Sequence, residues 1–260
     1  MLVRTIALTQ PCAITAEPLT RAAFAHFGDV IANPRPESRP SNTPPEAIAR
    51  GELPCGAVSA NQGSAIQYRA IASMRDLYAS APSQKAGTPR MTMFVCGART
   101  LVSRKGEEGR EEEEERDTFE VKVLERHPFT SQTFIPLTAD TAKRYLVIVA
   151  PTLDATEEDG DLPAPEGGAG LPGRGLPDVR GLRAFVASGE QAVTYGAGTW
   201  HAPMVALGPA ESTIDFVVVQ FANDVPIEDC QEVSFEDSKE GEGRIWVQIP
   251  EKDTRALARL

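Results

Sequence analysis

The chain has 260 residues, of which 41% are hydrophobic, enough for one sizeable core in an ordinary globular protein. Its 37 acidic and 26 basic residues leave a formal net charge of −11. That balance disfavours nucleic acid and anionic membrane surfaces as partners, and any anionic substrate has to be caught by local positive groups. No apolar run approaches the roughly 18 residues of a membrane span. Cys12, Cys55, Cys96 and Cys230 are scattered without C-x-x-C spacing, which argues against a zinc site or a disulfide framework and fits a reducing compartment.

In chain order, residues 1 to 11 read as a first strand, too soon broken for a secretory leader. Residues 19 to 31 carry Leu19, Ala22, Ala23, Phe24 and Phe27 near helical spacing, with Thr20 as N-cap and Gly28 as the stop. His26 on that segment is read as a surface residue. Three stretches read as insertions in surface loops: the proline-dense 33 to 54, the charge run 103 to 117, and the Gly/Pro/acid-rich 154 to 178. The last two are expected to be dispensable. Short runs rich in Val, Ile, Phe, Thr and Tyr predict strands at 119 to 127, 131 to 137, 144 to 150, 182 to 187, 191 to 198, 199 to 207 and 215 to 222. The fold class is therefore mainly β, a sandwich or barrel with a few short helices, in a single domain over 1 to 235. Residues 236 to 260 are expected as a polar tail outside the core. Their ending, Ala258-Arg259-Leu260, is a variant of the S-K-L type, so the expected location is cytoplasmic or peroxisomal.

Two constellations stand out. In Glu125-Arg126-His127-Pro128 the alternation of a strand places Glu125 and His127 on one face and Arg126 on the other. The pair forms either one wall of a cavity or an ordinary ion pair at an exposed strand end. In Tyr195 to His201 two glycines let the backbone turn before Trp200 and His201, whose side chains leave on opposite faces. A core tryptophan beside a solvent-facing histidine is the plainer account of that pair. Asn61 to Ala65 is a polar turn able to offer amides to a carboxylate. Glu125, His127 and His201 could hold a divalent metal, but with three histidines in all and no closely spaced pair, no metal or other cofactor is expected.

Together, E-R-H-P-x-x-S-Q-x-F-x-P-L at 125 to 137, Y-x-x-G-x-W-H-x-P at 195 to 203 and D-F-x-V-V at 215 to 219 resemble the ureidoglycolate lyase family. The resemblance implies a cupin-like β-barrel or double-stranded sandwich, usually a homodimer, that splits (S)-ureidoglycolate into glyoxylate and urea. It covers most of 119 to 235, and the loop insertions are of a kind that fungal members could carry. Where members often show a second histidine directly after Trp-His, this chain has Ala202. The implied chemistry needs one base, one acid and one anion clamp. His201 is the expected proton carrier, with His127 and Glu125 as its catalytic partners. Arg126 is the clamp that chemistry favours, although alternation points it away. Ser131 and Gln132 are expected on the ureido group and Tyr195 over the pocket, with Asn61 and Trp200 completing the substrate-contacting set. Two other readings stay open: an amidohydrolase releasing ammonia and carbon dioxide from the same substrate, and a non-catalytic carboxylate-binding module.

Overall fold

The computed structural model describes residues 1–105, 115–165, 170–237 and 243–250. The middle of the charge run, residues 166–169 of the Gly/Pro-rich stretch and the Ala258-Arg259-Leu260 end lie outside these described residues.

Three β-sheets make up most of the fold. An eight-stranded sheet runs in the order Leu2–Leu8, Gln231–Asp237, Val123–Arg126, Trp200–His201, Arg144–Ala150, Arg183–Ser188 and Glu17–Pro18, with Val205–Leu207 also paired to Arg144–Ala150. A five-stranded sheet takes the order Gly28–Ile31, Ala192–Tyr195, Gln132–Pro136, Thr213–Ala222 and Thr88–Gly97. A four-stranded sheet takes Cys12–Thr15, Ile245–Gln248, Glu115–Val121 and Val102–Lys105. Among the described residues no sheet closes into a barrel, so the cupin-like expectation is met as a sandwich.

The eight-stranded sheet is apolar on both faces, because it is covered twice. Tyr145, Val147, Val149 and Phe185 on one face join Phe134, Val193, Tyr195 and Phe216 of the five-stranded sheet in one buried cluster. Leu146, Ile148, Ala150 and Trp200 on the other join Phe119, Val121, Ile245 and Val247 of the four-stranded sheet. The near-continuous apolar run Tyr145 to Ala150 follows from this double burial, as in any strand with no solvent face. Each fully buried side chain of this size contributes about 1.5–3 kcal/mol relative to exposure.

Several sequence expectations shift in detail. The strand expected at 119 to 127 divides at Lys122: Glu115–Val121 belongs to the four-stranded sheet and Val123–Arg126 to the eight-stranded one. The run 199 to 207 divides likewise at Ala202 to Met204, next to Pro203. The N-terminal helix is a single turn, Arg21–Phe24, capped by Thr20 Oγ1 accepting from the Ala23 amide. Gly28 does not stop it but opens a strand, packed so closely that a Cβ there would meet the Thr194 carbonyl oxygen at 1.9 Å. The polar tail is the clearest correction. Ile245–Gln248 is an inner strand of the four-stranded sheet, and Ile245 and Val247 are fully buried. Its polar neighbours in sequence conceal a short apolar alternation.

Candidate active site

Glu125 and His201 are cross-strand partners in the eight-stranded sheet. Strand alternation turns both toward the five-stranded sheet, while Arg126 and Trp200 turn the other way. His127, one residue beyond its strand, returns to the side of Glu125. His201 Nε2 lies 3.6 Å from Glu125 Oε1 and 3.2 Å from Gln132 Oε1. The His127 and His201 rings are 5.6 Å apart, and Tyr195 stacks flat on His201 at 4.0 Å. The structure thus brings together Glu125, His127, His201, Gln132 and Tyr195 at one end of the space between the two sheets.

Hydrogen bonding decides the state of the histidines. His127 Nδ1 donates to the Asp229 carbonyl at 2.6 Å and His201 Nδ1 to the Thr199 carbonyl at 2.9 Å. A carbonyl oxygen can only accept, so both protons sit on Nδ1 and each neutral ring keeps a lone pair at Nε2. Burial lowers the pKa of both rings, and for His201, with His127 beside it, down to about 3. Burial pushes the Glu125 carboxyl the opposite way, up to about 7, with the neighbouring Glu232 adding to the rise. The group whose proton exchanges near neutral pH is therefore Glu125. His201, expected to be the proton carrier, is instead a neutral partner whose lone pair faces it.

Other expected contacts fall elsewhere. Arg126 is fully buried on the opposite face, with Nε on Gln231 Oε1 and its terminal nitrogens on the carbonyls of Gly173, Arg174 and Gly175 at 2.7–3.0 Å. Its guanidinium lies 4.5 Å over the Trp200 ring, and Trp200 Nε1 donates to the same Gly175 carbonyl. Neither residue is placed to touch a substrate beside Glu125. The physical reason is the alternation itself, which left Arg126 and Trp200 to hold the 173–175 loop. That loop is accordingly no loose insertion: Leu162 and Ala164 from the same stretch are buried too. Asn61 sits exposed at the turn of a separate hairpin, Val58–Ala60 with Ala65–Gln67, that joins none of the three larger sheets. Ser131 faces outward, where its Oγ accepts from the Arg75 amide. It lines a cavity of about 530 Å³ with His26, Asp29, Arg75 and Thr194, and none of Glu125, His127 and His201 lines that cavity.

The structure adds neighbours that sequence reasoning missed. Gln132 Nε2 donates to Gln220 Oε1 at 2.6 Å, while its Oε1, 3.2 Å from His201 Nε2, faces the lone pair of the neutral ring and makes no hydrogen bond with it. Cys230 and Glu232 approach Glu125 closely enough to form a second group with it. Burial pushes the Cys230 thiol up to about 12. No signal in the sequence marked Glu232, which meets Glu125 only through the register of two strands far apart in the chain.

Among the described residues, the donor set best suited to a divalent cation is Glu125, His127 and His201, whose ligand atoms lie within 4.8 Å of one another. His127 Nε2 is buried without a hydrogen-bond partner. Both Nδ1 atoms donate to carbonyls, the arrangement that orients metal-binding histidines.

A family model described as Ureidoglycolate lyase matches residues 11–241. The chain belongs to the ureidoglycolate lyase family. A curated relative of that name from Saccharomyces cerevisiae is 32% identical over 228 residues, covering 86% of this chain and 95% of the relative. Another from Schizosaccharomyces pombe is 33% identical over 224 residues, covering 86% and 92%. A third, from Burkholderia mallei, is 33% identical over 211 residues, covering 81% and 84%. Ala202, which follows Trp200-His201, packs with Trp200 in the core against the four-stranded sheet. A histidine in the sequence-expected place directly after His201 would point away from Glu125 and add nothing to the cluster.

Proposed function

We propose that this chain is a ureidoglycolate lyase, converting (S)-ureidoglycolate into glyoxylate and urea. The observation that carries the reading is a carboxyl poised near neutral pH beside a neutral His127 whose buried Nε2 lone pair has no partner. The reaction needs that pairing. The C–N bond breaks as the substrate hydroxyl loses its proton and the departing urea nitrogen gains one. Protonated Glu125 supplies the proton to nitrogen, and the His127 Nε2 lone pair accepts the one from the hydroxyl. His201 holds Glu125 in place, backed by Tyr195 and Gln132. The test is incubation with ureidoglycolate while glyoxylate, urea and ammonia are assayed together. Equal glyoxylate and urea support the lyase; ammonia in place of urea identifies an amidohydrolase, and binding without turnover a non-catalytic module.

A second reading of the same cluster is favoured by the unpartnered His127 Nε2: Glu125, His127 and His201 hold a divalent cation. Such an ion would act as a Lewis acid toward the substrate's oxygens. Metal content by mass spectrometry, with turnover before and after chelation, separates the two readings.

The active form is a homodimer in this proposal. The surface that supports it is the outer face of the edge strand Thr88–Gly97, where Met91, Met93 and Val95 are 74%, 61% and 65% exposed beside Ile135 and Leu137. Met93→Lys is expected to shift the sedimenting species to the monomer; a wild-type monomer at micromolar concentration overturns it.

A further inference from the structure

With Arg126 committed to the 173–175 loop, the anionic end of the substrate needs another cation, and the five-stranded sheet supplies one. Tyr195 lies opposite Gln132 in the register, and Gln132 donates to Gln220. Gln220 in turn lies opposite Arg90 on the edge strand. Residues two apart on a strand share a face. Phe94, though 46% exposed, packs against Phe134 of the inner core with ring centroids 5.8 Å apart, so the exposed edge strand turns Arg90, Thr92 and Phe94 to the inner side of the sheet and Met91 and Met93 to the outer. One level of the inner face therefore carries Tyr195, Gln132, Gln220 and Arg90 in a row. Its first two members touch His201. Strands lie about 4.8 Å apart, which sets the Arg90 backbone roughly 10 Å from that of Gln132. An arginine side chain and a small substrate together bridge such a gap.

The state of Arg90 suits it to exchange partners. One of its terminal nitrogens lies 2.6 Å from both carboxylate oxygens of Asp224, and Lys85 Nζ reaches the same carboxylate at 4.0 Å. Two cations thus share one acid. The Arg90 and Asp224 side chains are 40% and 60% exposed, and solvated pairs of this kind are held weakly. Nε and the second terminal nitrogen of Arg90 make no hydrogen bond among the described residues, leaving part of the fork open for a carboxylate.

We infer that Arg90 recognises the carboxylate of ureidoglycolate, its guanidinium passing from Asp224 to the substrate. The inference rests on the lyase reading for its substrate, and it makes Arg90 a specificity-determining residue. Turnover of ureidoglycolate and calorimetric binding of glyoxylate are measured for wild type, Arg90→Met, Arg90→Lys and Asp224→Asn. Loss of hydrogen bonds to a charged group predicts a KM raised roughly 10- to 100-fold in Arg90→Met with kcat near wild type. Arg90→Lys recovers part of the loss, and glyoxylate affinity falls in parallel. Asp224→Asn frees Arg90 without removing it, so its KM stays at the wild-type value or drops. An unchanged KM in Arg90→Met overturns the assignment. So does an equal KM rise in Asp224→Asn, which would make the pair structural. Should wild type turn over no ureidoglycolate, the lyase reading fails alone, and glyoxylate affinity in Arg90→Met against wild type still decides the role of Arg90. Wild-type protein that binds no glyoxylate overturns the inference.

Discussion

The two faces of the eight-stranded sheet at Glu125-Arg126 and Trp200-His201 use the same pair of strands for opposite purposes. Toward the five-stranded sheet, Glu125 and His201 meet with mismatched proton affinities and few polar partners. Toward the four-stranded sheet, Arg126 and Trp200 are held by Gln231, by three successive carbonyls and by each other. Adjacent residues are thus divided between reactivity and architecture by nothing more than the pleat of the strand. A buried charge well supplied with acceptors stabilises a loop; a buried acid left short of donors keeps a proton to give away.

The largest effect that would test this division is on rate. Glu125→Gln is expected to lower kcat by about 10²–10⁴-fold while leaving the folded structure intact, because general acids typically contribute that much. Near-normal turnover in a folded Glu125→Gln protein would remove Glu125 as the acid. On the other face the loss should appear in stability instead. Trp200→Ala is expected to cost about 3–5 kcal/mol in denaturant unfolding, as truncation of a fully buried aromatic does. If it lost rate rather than stability, the separation of the faces would be wrong.

The proton affinity of Glu125 makes a third, smaller test. Its pKa is raised to about 7 in the folded protein, against about 4.3 for an ordinary glutamate, so between these values the folded state binds the proton more tightly than the unfolded state. The stability this confers is complete below the ordinary value and is lost as pH rises through about 7. Chelator-treated wild type should therefore lose up to about 3 kcal/mol relative to Glu125→Gln between pH 4.5 and 8. A constant difference between the two proteins would show that the carboxyl is not held protonated. The smallest effect is expected at the latch. Arg126→Lys keeps the charge but not the fork of donors, and should cost about 1–3 kcal/mol and expose residues 170–178 to limited proteolysis. Unchanged cleavage would mean that the loop is held by Leu162 and Ala164 alone.

Much of this arrangement was legible without coordinates. The period of two in Val123 to His127 put Glu125 and His127 on one face and Arg126 on the other, and the pair Trp200-His201 put its two side chains on opposite faces. Alternation is written residue by residue along the chain. The strand Thr88–Gly97 escaped notice, since its outward Met91, Met93 and Val95 are exposed apolar residues that blur the polar half of the pattern. Ile245–Gln248 escaped because a strand of four residues inside a charged tail offers too short a run to read.

Local faces and the motifs that mark the family are written along the chain and could be read there. Packing in three dimensions set the rest: that Arg126 meets the carbonyls of 173–175, that Arg90 lies across from Gln220, and that His201 is neutral while Glu125 holds its proton. Those outcomes depend on which distant strands become neighbours and on how much water their pairing removes. Neither pairing nor desolvation is a property of any one segment.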